Sequence, residues 1–278
     1  MAEFGPLVSP DWLLSHKDDP HLVVVDCRFA LANPDQGRQQ YEQGHIPGAV
    51  HFDLNRDLSS PVQSHGGRHP LPHMDEFVAK LEATGISSGN GTPATRVVAY
   101  DDSRFAFASR LWWLLKYLNH DAVAVLDGGF QAWQRAGYSI TKAVPQPLAG
   151  QFRPAPRADW VVTHEEVRQR KDQKGVVLID SRAPERFRGE VEPIDPVAGS
   201  IPGAVNYFWQ DVTDRSGAMR PAAELAQHWS GLEQAEEVMV YCGSGVTACV
   251  NLLSQTLAGQ PMGKLYVGGW SDWCSYEN

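Results

Sequence analysis

The chain repeats itself. Leu22-Val-Val-Val-Asp-Cys-Arg28 matches Val176-Val-Leu-Ile-Asp-Ser-Arg182, a short apolar run closed by Asp, a small residue and Arg, with Asp26 and Asp180 154 positions apart. Gly44-His-Ile-Pro-Gly-Ala-Val50 matches Gly199-Ser-Ile-Pro-Gly-Ala-Val205, with Pro47 and Pro202 155 apart. Further on, Val97-Val-Ala-Tyr-Asp101 matches Val238-Met-Val-Tyr-Cys242, and Asp127-Gly-Gly-Phe-Gln-Ala-Trp133 matches Val267-Gly-Gly-Trp-Ser-Asp-Trp273, at offsets of 141 and 140. Four blocks in one order at two nearly constant offsets mean a duplicated domain, the second copy shorter in its middle. A chain of 278 residues is long enough for two cores of ordinary size. The expected division is 1–142, a linker over 143–157 and 158–278, since four prolines between Ala143 and Pro156 suit an extended connection.

Within each copy, apolar β-branched runs of four or five residues alternate with helical patterns. Short continuous runs of this kind predict buried parallel strands. The spacing of Leu111, Leu114, Leu115 and Leu118 predicts a helix over Ala106–Leu118. Strand and helix alternation gives an α/β fold class, two tandem domains, each a mainly parallel sheet covered by helices.

A formal charge of -9 with pI near 5.5 argues against nucleic acid as a partner. No apolar run approaches the roughly 20 residues that span a bilayer, and the start lacks the basic-then-apolar pattern of a secretory signal. No membrane association and a cytoplasmic setting are therefore expected. Cys27, Cys242, Cys249 and Cys274 form no Cys-x-x-Cys pair and no zinc-finger spacing, so neither a metal nor a disulfide framework is expected.

One cysteine has special surroundings. Val238-Met-Val-Tyr-Cys242-Gly-Ser-Gly-Val-Thr-Ala-Cys249 reads as a strand leading through a glycine-containing loop into an apolar helix that runs to about Leu257. Cys242 falls at the strand's carboxyl end, where parallel sheets gather ligands and the next helix presents free N–H groups. Gly243 and Gly245 let the backbone curl so that several amides face the sulfur, a nest that favours the thiolate. The equivalent position in the first copy is Asp101, whose loop carries neither glycine and no nucleophile. Only the second copy has the means for chemistry.

The block Cys-Gly-Ser-Gly-Val-Thr-Ala resembles the active-site loop of the rhodanese-type sulfurtransferases, and within them the 3-mercaptopyruvate-using branch. Thiosulfate-using members typically place basic residues after the cysteine. The resemblance extends over nearly the whole chain and includes a catalytically silent first domain. It implies a cycle in which Cys242 takes sulfur from a small anionic donor as a persulfide and passes it to a thiol, sulfite or cyanide, with the amides of Gly243, Gly245, Val246 and Thr247 holding the charge and no metal or organic cofactor needed.

By the same resemblance Arg186 holds the donor's carboxylate, for which a guanidinium fork is suited. A surface ion pair with Glu185 or Glu190 is the plainer alternative. Arg182 reads as structural, since Arg28 matches it. The family's second arginine, nine positions after the first, is Asp195 here, and an acid there would repel a carboxylate unless Arg188 or Arg104 compensates. The family's serine, histidine and acid relay maps Ser244 to the serine and His69 to the histidine; the acid position lands on Asn55, with Asp53 or Asp57 as substitutes. Cys249, Trp270 and Trp273 read as core, and the turn bearing Ser200 in place of His45 as structural. A phosphatase would need an arginine six residues after the cysteine, where Ala248 stands. Thiosulfate transfer, and a non-catalytic persulfide relay, remain as rival functions.

Overall fold

The computed structural model describes residues 4–89 and 93–276. They fall into two compact units, each built on a five-stranded parallel sheet. The first unit contains β1 (Leu7–Val8), β2 (Leu22–Asp26), β3 (Val50–His51), β4 (Arg96–Tyr100) and β5 (Val123–Leu126), in the order β1-β5-β4-β2-β3. The second contains β6 (Val161–Val162), β7 (Val176–Asp180), β8 (Val205–Asn206), β9 (Glu237–Tyr241) and β10 (Lys264–Tyr266), in the order β6-β10-β9-β7-β8. The two orders are one permutation, so the repeat in sequence is a repeat in topology.

The central strands carry the β-branched runs. Val97 to Tyr100 and Met239 to Tyr241 are wholly buried, as strands covered on both faces by helices must be. Register places Asp26 beside Tyr100 and Asp180 beside Tyr241. From these ends Arg28 reaches the Gly44 carbonyl at 2.8 Å and Arg182 the Gly199 carbonyl at 2.6 Å, each also gripping its own aspartate. The tyrosine hydroxyls accept the N–H of Ile46 and of Ile201. In both copies a buried Asp-Arg-Tyr cluster pins the Ile-Pro-Gly-Ala turn.

The helix expected over Ala106–Leu118 spans Ala108–Tyr117. It starts late because Arg104 and Phe105 take left-handed backbone conformations, at φ of 54° and 70°, and carry the chain around Asp101. Among the described residues, no helix is long and apolar enough to cross a membrane.

The expected linear division needs correction. Pro61–Leu71 packs with the second unit and Arg215–Ala218 with the first. Hydrogen bonds explain the former: Gly66 N–H donates to Asp272 at 2.6 Å and Arg68 N–H to Ser271 Oγ at 3.1 Å. The proline-rich connection, up to Pro156, belongs to the first unit. Gly150 N–H donates to the Glu82 carbonyl, Phe152 N–H to the Glu82 carboxylate, and the Phe152 ring is buried.

Candidate active site

Cys242 directly follows β9 and is 2 % exposed. Its loop is strapped to the turn after β10: Trp270 N–H donates to the Cys242 carbonyl at 2.8 Å and Ser271 N–H to the Gly243 carbonyl at 2.9 Å. Two glycines make this approach possible. A Cβ on Gly245 (φ 69°) would stand 2.2 Å from the Val267 carbonyl oxygen, and one on Gly269 (φ 60°) 2.5 Å from the Cys242 carbonyl oxygen. Both positions combine left-handed backbone with backbone contact, which only glycine accepts. The helix Ala248–Leu257 begins just beyond, with the Cys249 and Val250 N–H groups donating to the Val246 and Thr247 carbonyls at 3.1 Å.

The first copy shows what such a loop holds. The Asp101 carboxylate accepts N–H bonds from Ser103 (2.8 Å), Phe105 (3.1 Å), Phe107 (2.9 Å) and Ala108 (2.9 Å). Phe130 N–H donates to the Asp101 carbonyl at 2.8 Å, and a Cβ on Gly129 (φ 59°) would lie 2.2 Å from it, repeating the strap seen at Cys242. Burial raises the Asp101 carboxyl above its ordinary pKa while the amide bonds work against the shift. The first copy thus fills its nest with its own side chain, and Cys242 is the residue that follows the matching central strand in the second copy.

Around Cys242 the structure assembles a polar cluster. His69 Nδ1 lies 2.7 Å from Ser244 Oγ, and both residues are buried. Arg186 meets Glu192 through Nε (3.1 Å) and Nη2 (2.6 Å), and Nη2 also reaches Asp195 at 3.2 Å. The other Asp195 oxygen is bonded to Arg68. A Cβ on Gly243 would meet Arg68 Nη2 at 2.9 Å and the Arg186 terminal nitrogens at 3.8 Å, so both guanidiniums face the residue next to Cys242. Burial holds the Arg68 guanidinium below its ordinary pKa; a charge on the Cys242 sulfur acts against that shift and the neighbouring Arg186 adds to it.

The rhodanese-like domain model matches residues 9–136 and again 163–276. The chain belongs to the rhodanese family. A probable 3-mercaptopyruvate sulfurtransferase of Pseudomonas aeruginosa is 44 % identical over 272 residues, spanning 96 % of this chain and 94 % of that one. A putative thiosulfate sulfurtransferase of Mycobacterium tuberculosis is 38 % identical over 270 residues, spanning 92 % and 89 %. The crystal structure of the 3-mercaptopyruvate sulfurtransferase of Escherichia coli superposes with a TM-score of 0.83 at 32 % identity, covering 96 % of this chain and 99 % of that one. This rhodanese is a sulfurtransferase, an enzyme with a sulfur donor and a sulfur acceptor.

The geometry revises several expectations for this rhodanese. Asp195 is paired with Arg68 and Arg186, whereas Arg188 pairs at the surface with Glu190 at 2.7 Å. Arg186 pairs with Glu192 and Asp195 rather than with Glu185 or Glu190. Asp53 accepts the N–H groups of Asn55 and Arg56, and Asp57 pairs with Lys80 at 3.1 Å. The Val246 side chain is buried, Thr247 is half-buried, and both shape the loop's exit through their backbone.

Cys249 is fully buried, its thiol 3.4 Å from the Gly245 carbonyl oxygen, and all four cysteines are unbridged. Trp270 and Trp273 are core, with Trp270 Nε1–H donating to the Val197 carbonyl and Arg182 lying over its ring at 4.8 Å. Among the described residues, no group of three His, Cys, Asp or Glu could hold a metal ion. The residue missed in the sequence is Arg68. Its only local signal is its place in Gly-Gly-Arg-His-Pro-Leu-Pro beside His69.

Proposed function

We propose that the chain transfers the sulfur of 3-mercaptopyruvate through a persulfide on Cys242. The Cys242 thiolate attacks the donor's sulfur, an S–S bond forms, the C–S bond breaks, and the bonding pair stays on carbon as the enolate of pyruvate. The proton first carried by the donor thiol ends on that carbon, which releases pyruvate. An acceptor thiolate, sulfite or cyanide then attacks the outer sulfur, and Cys242 departs as thiolate. The loop from Gly243 to Thr247 supports the sulfur's negative charge in each half of the cycle. The proposal carries with it the cytoplasmic setting expected from the sequence.

The observation that carries this reading is the 2.7 Å contact between His69 and Ser244, two residues from the nucleophile. A mercaptan donor has a proton to relocate from sulfur to carbon, and a buried Ser-His pair is suited to moving it. Thiosulfate releases sulfite with no such proton to move, so the pair would be idle. The 38 % identity to a putative thiosulfate sulfurtransferase keeps that donor as the second reading. The test is cyanide-dependent sulfur release with each donor, for the wild type and Cys242→Ser. Mercaptopyruvate is expected to be the better donor by tenfold or more, and a sulfur adduct of about 32 Da on the intact wild-type protein should be missing from the variant. A preference for thiosulfate would replace the reading; no turnover with either donor would favour a persulfide relay.

A further inference from the structure

The family resemblance leads one to expect two arginines at the donor's carboxylate, and the position of the second is occupied by an acid. We propose that Arg68 supplies the missing guanidinium, gripping the carboxylate of 3-mercaptopyruvate together with Arg186, and that Asp195 is the strut that sets it there. This rests on the donor reading above.

Three features of the structure support it. First, Arg68 has a fixed base. Its N–H donates to Ser271 Oγ at 3.1 Å, and a Cβ on the preceding Gly67 (φ 77°) would stand 2.3 Å from the Gly268 carbonyl oxygen. That same turn holds the carbonyls of Cys242 and Gly243, so Arg68 and the nucleophile share one anchor. Second, the acids take the rear of the guanidiniums. Asp195 bridges Arg68 Nη1 and Arg186 Nη2, and Glu192 takes Arg186 Nε and Nη2. Arg68 Nη2 and Arg186 Nη1 both lie beside Gly243, 2.9 and 3.8 Å from where a Cβ there would stand, so two guanidinium donors border one spot where an anion can bind.

Third, the acids are sealed and the bases are open. The Asp195 and Glu192 side chains are 1 % and 3 % exposed, whereas those of Arg68 and Arg186 are 30 % and 17 % exposed. An incoming anion therefore meets guanidinium rather than carboxylate. An arginine at position 195 would have no need of the strut; an aspartate there works because it recruits an arginine from a segment more than a hundred residues away.

The test compares mercaptopyruvate with 1-sulfanylpropan-2-one, the same mercaptoketone with a methyl group in place of the carboxylate. In Arg68→Met the KM for mercaptopyruvate should rise about 10- to 100-fold, the range for losing one charge-assisted contact. The kcat/KM for the neutral donor should change less than about threefold. The exchanged pair Arg68→Asp with Asp195→Arg restores the ion pair with its poles reversed and should regain at least about tenfold over Arg68→Asp alone. Pyruvate, as product inhibitor, should weaken in parallel with KM. Equal loss on both donors, or no recovery in the exchanged pair, would overturn the assignment of Arg68. A wild type that turns over thiosulfate but not mercaptopyruvate would overturn the donor reading, and the clamp with it, before any variant is made.

Discussion

Gly243 and Gly245 lie two residues apart in one loop, yet the structure gives them opposite reasons for being glycine. At Gly245 the backbone is left-handed, and a Cβ would press on the Val267 carbonyl oxygen at 2.2 Å. Alanine there pays the left-handed penalty of about 1–2 kcal/mol. Relief of the overlap, which must move backbone, adds about 1–3 kcal/mol. The sum of about 2–5 kcal/mol corresponds to a fall of roughly 6–15 °C in the melting temperature of the second unit. In the proposed cycle the loop amides support the sulfur and would move with the loop, so kcat should fall by at least about tenfold. At Gly243 a Cβ would press on the end of the Arg68 side chain at 2.9 Å and otherwise meet the Arg186 terminal nitrogens in ordinary contact at 3.8 Å. Gly243→Ala should therefore melt within about 2 °C of the wild type and raise the donor KM several-fold, by crowding the guanidinium face. Differential scanning fluorimetry and donor-dependent thiocyanate formation read both effects. A Gly245→Ala protein with wild-type melting temperature and kcat, or two variants with the same profile, would refute the reasoning.

The remaining expectations follow from other contacts. His69→Gln should lower kcat with mercaptopyruvate by about 100-fold, at the low end for losing a proton-transfer group, while turnover of thiosulfate changes less than about threefold. Asp101→Leu strips four amides, three of them buried, of their acceptor and should destabilise the first unit by at least about 3 kcal/mol in urea unfolding. Burial holds the imidazoles of His51 and His120 below their ordinary pKa. The unfolded chain then takes up protons before the folded one does, so stability should decline as pH falls below about 6.5; melting curves at pH 5 and pH 7, with His120→Gln expected to narrow the gap, check the sign.

What the sequence made legible was whatever is encoded locally or by repetition. The aligned blocks around Asp26 and Asp180 anticipated the common strand order, because the same apolar runs bury the same strands. The loop at Cys242 was readable in part: the left-handed backbone of Gly245 (φ 69°) is a local demand for glycine, whereas the Val267 carbonyl it must clear is remote in sequence. Ser244 and His69 were paired only through resemblance, since 175 positions separate them and no spacing rule reaches so far. Arg68 escaped notice because its role depends on Asp195 and Gly243, both remote in sequence. Asp195 was read by its charge alone, as a group that would repel the donor; its meaning lies in the arginine beside it. The linear domain boundary failed in the same manner, since short segments such as Pro61–Leu71 are claimed by hydrogen bonds rather than by composition.

The carboxylate cage at Asp101 also bears on how a duplicated gene divides its labour. A helix start whose amides already hold a tethered anion is finished as structure and can only lend rigidity. The counterpart at Cys242 has no carboxylate of its own there, and in the proposed cycle the charge it carries comes and goes with each turnover. On that reading stability and activity are shared out between two copies of one ancestor, and the residue following the central strand, aspartate or cysteine, marks which copy took which part.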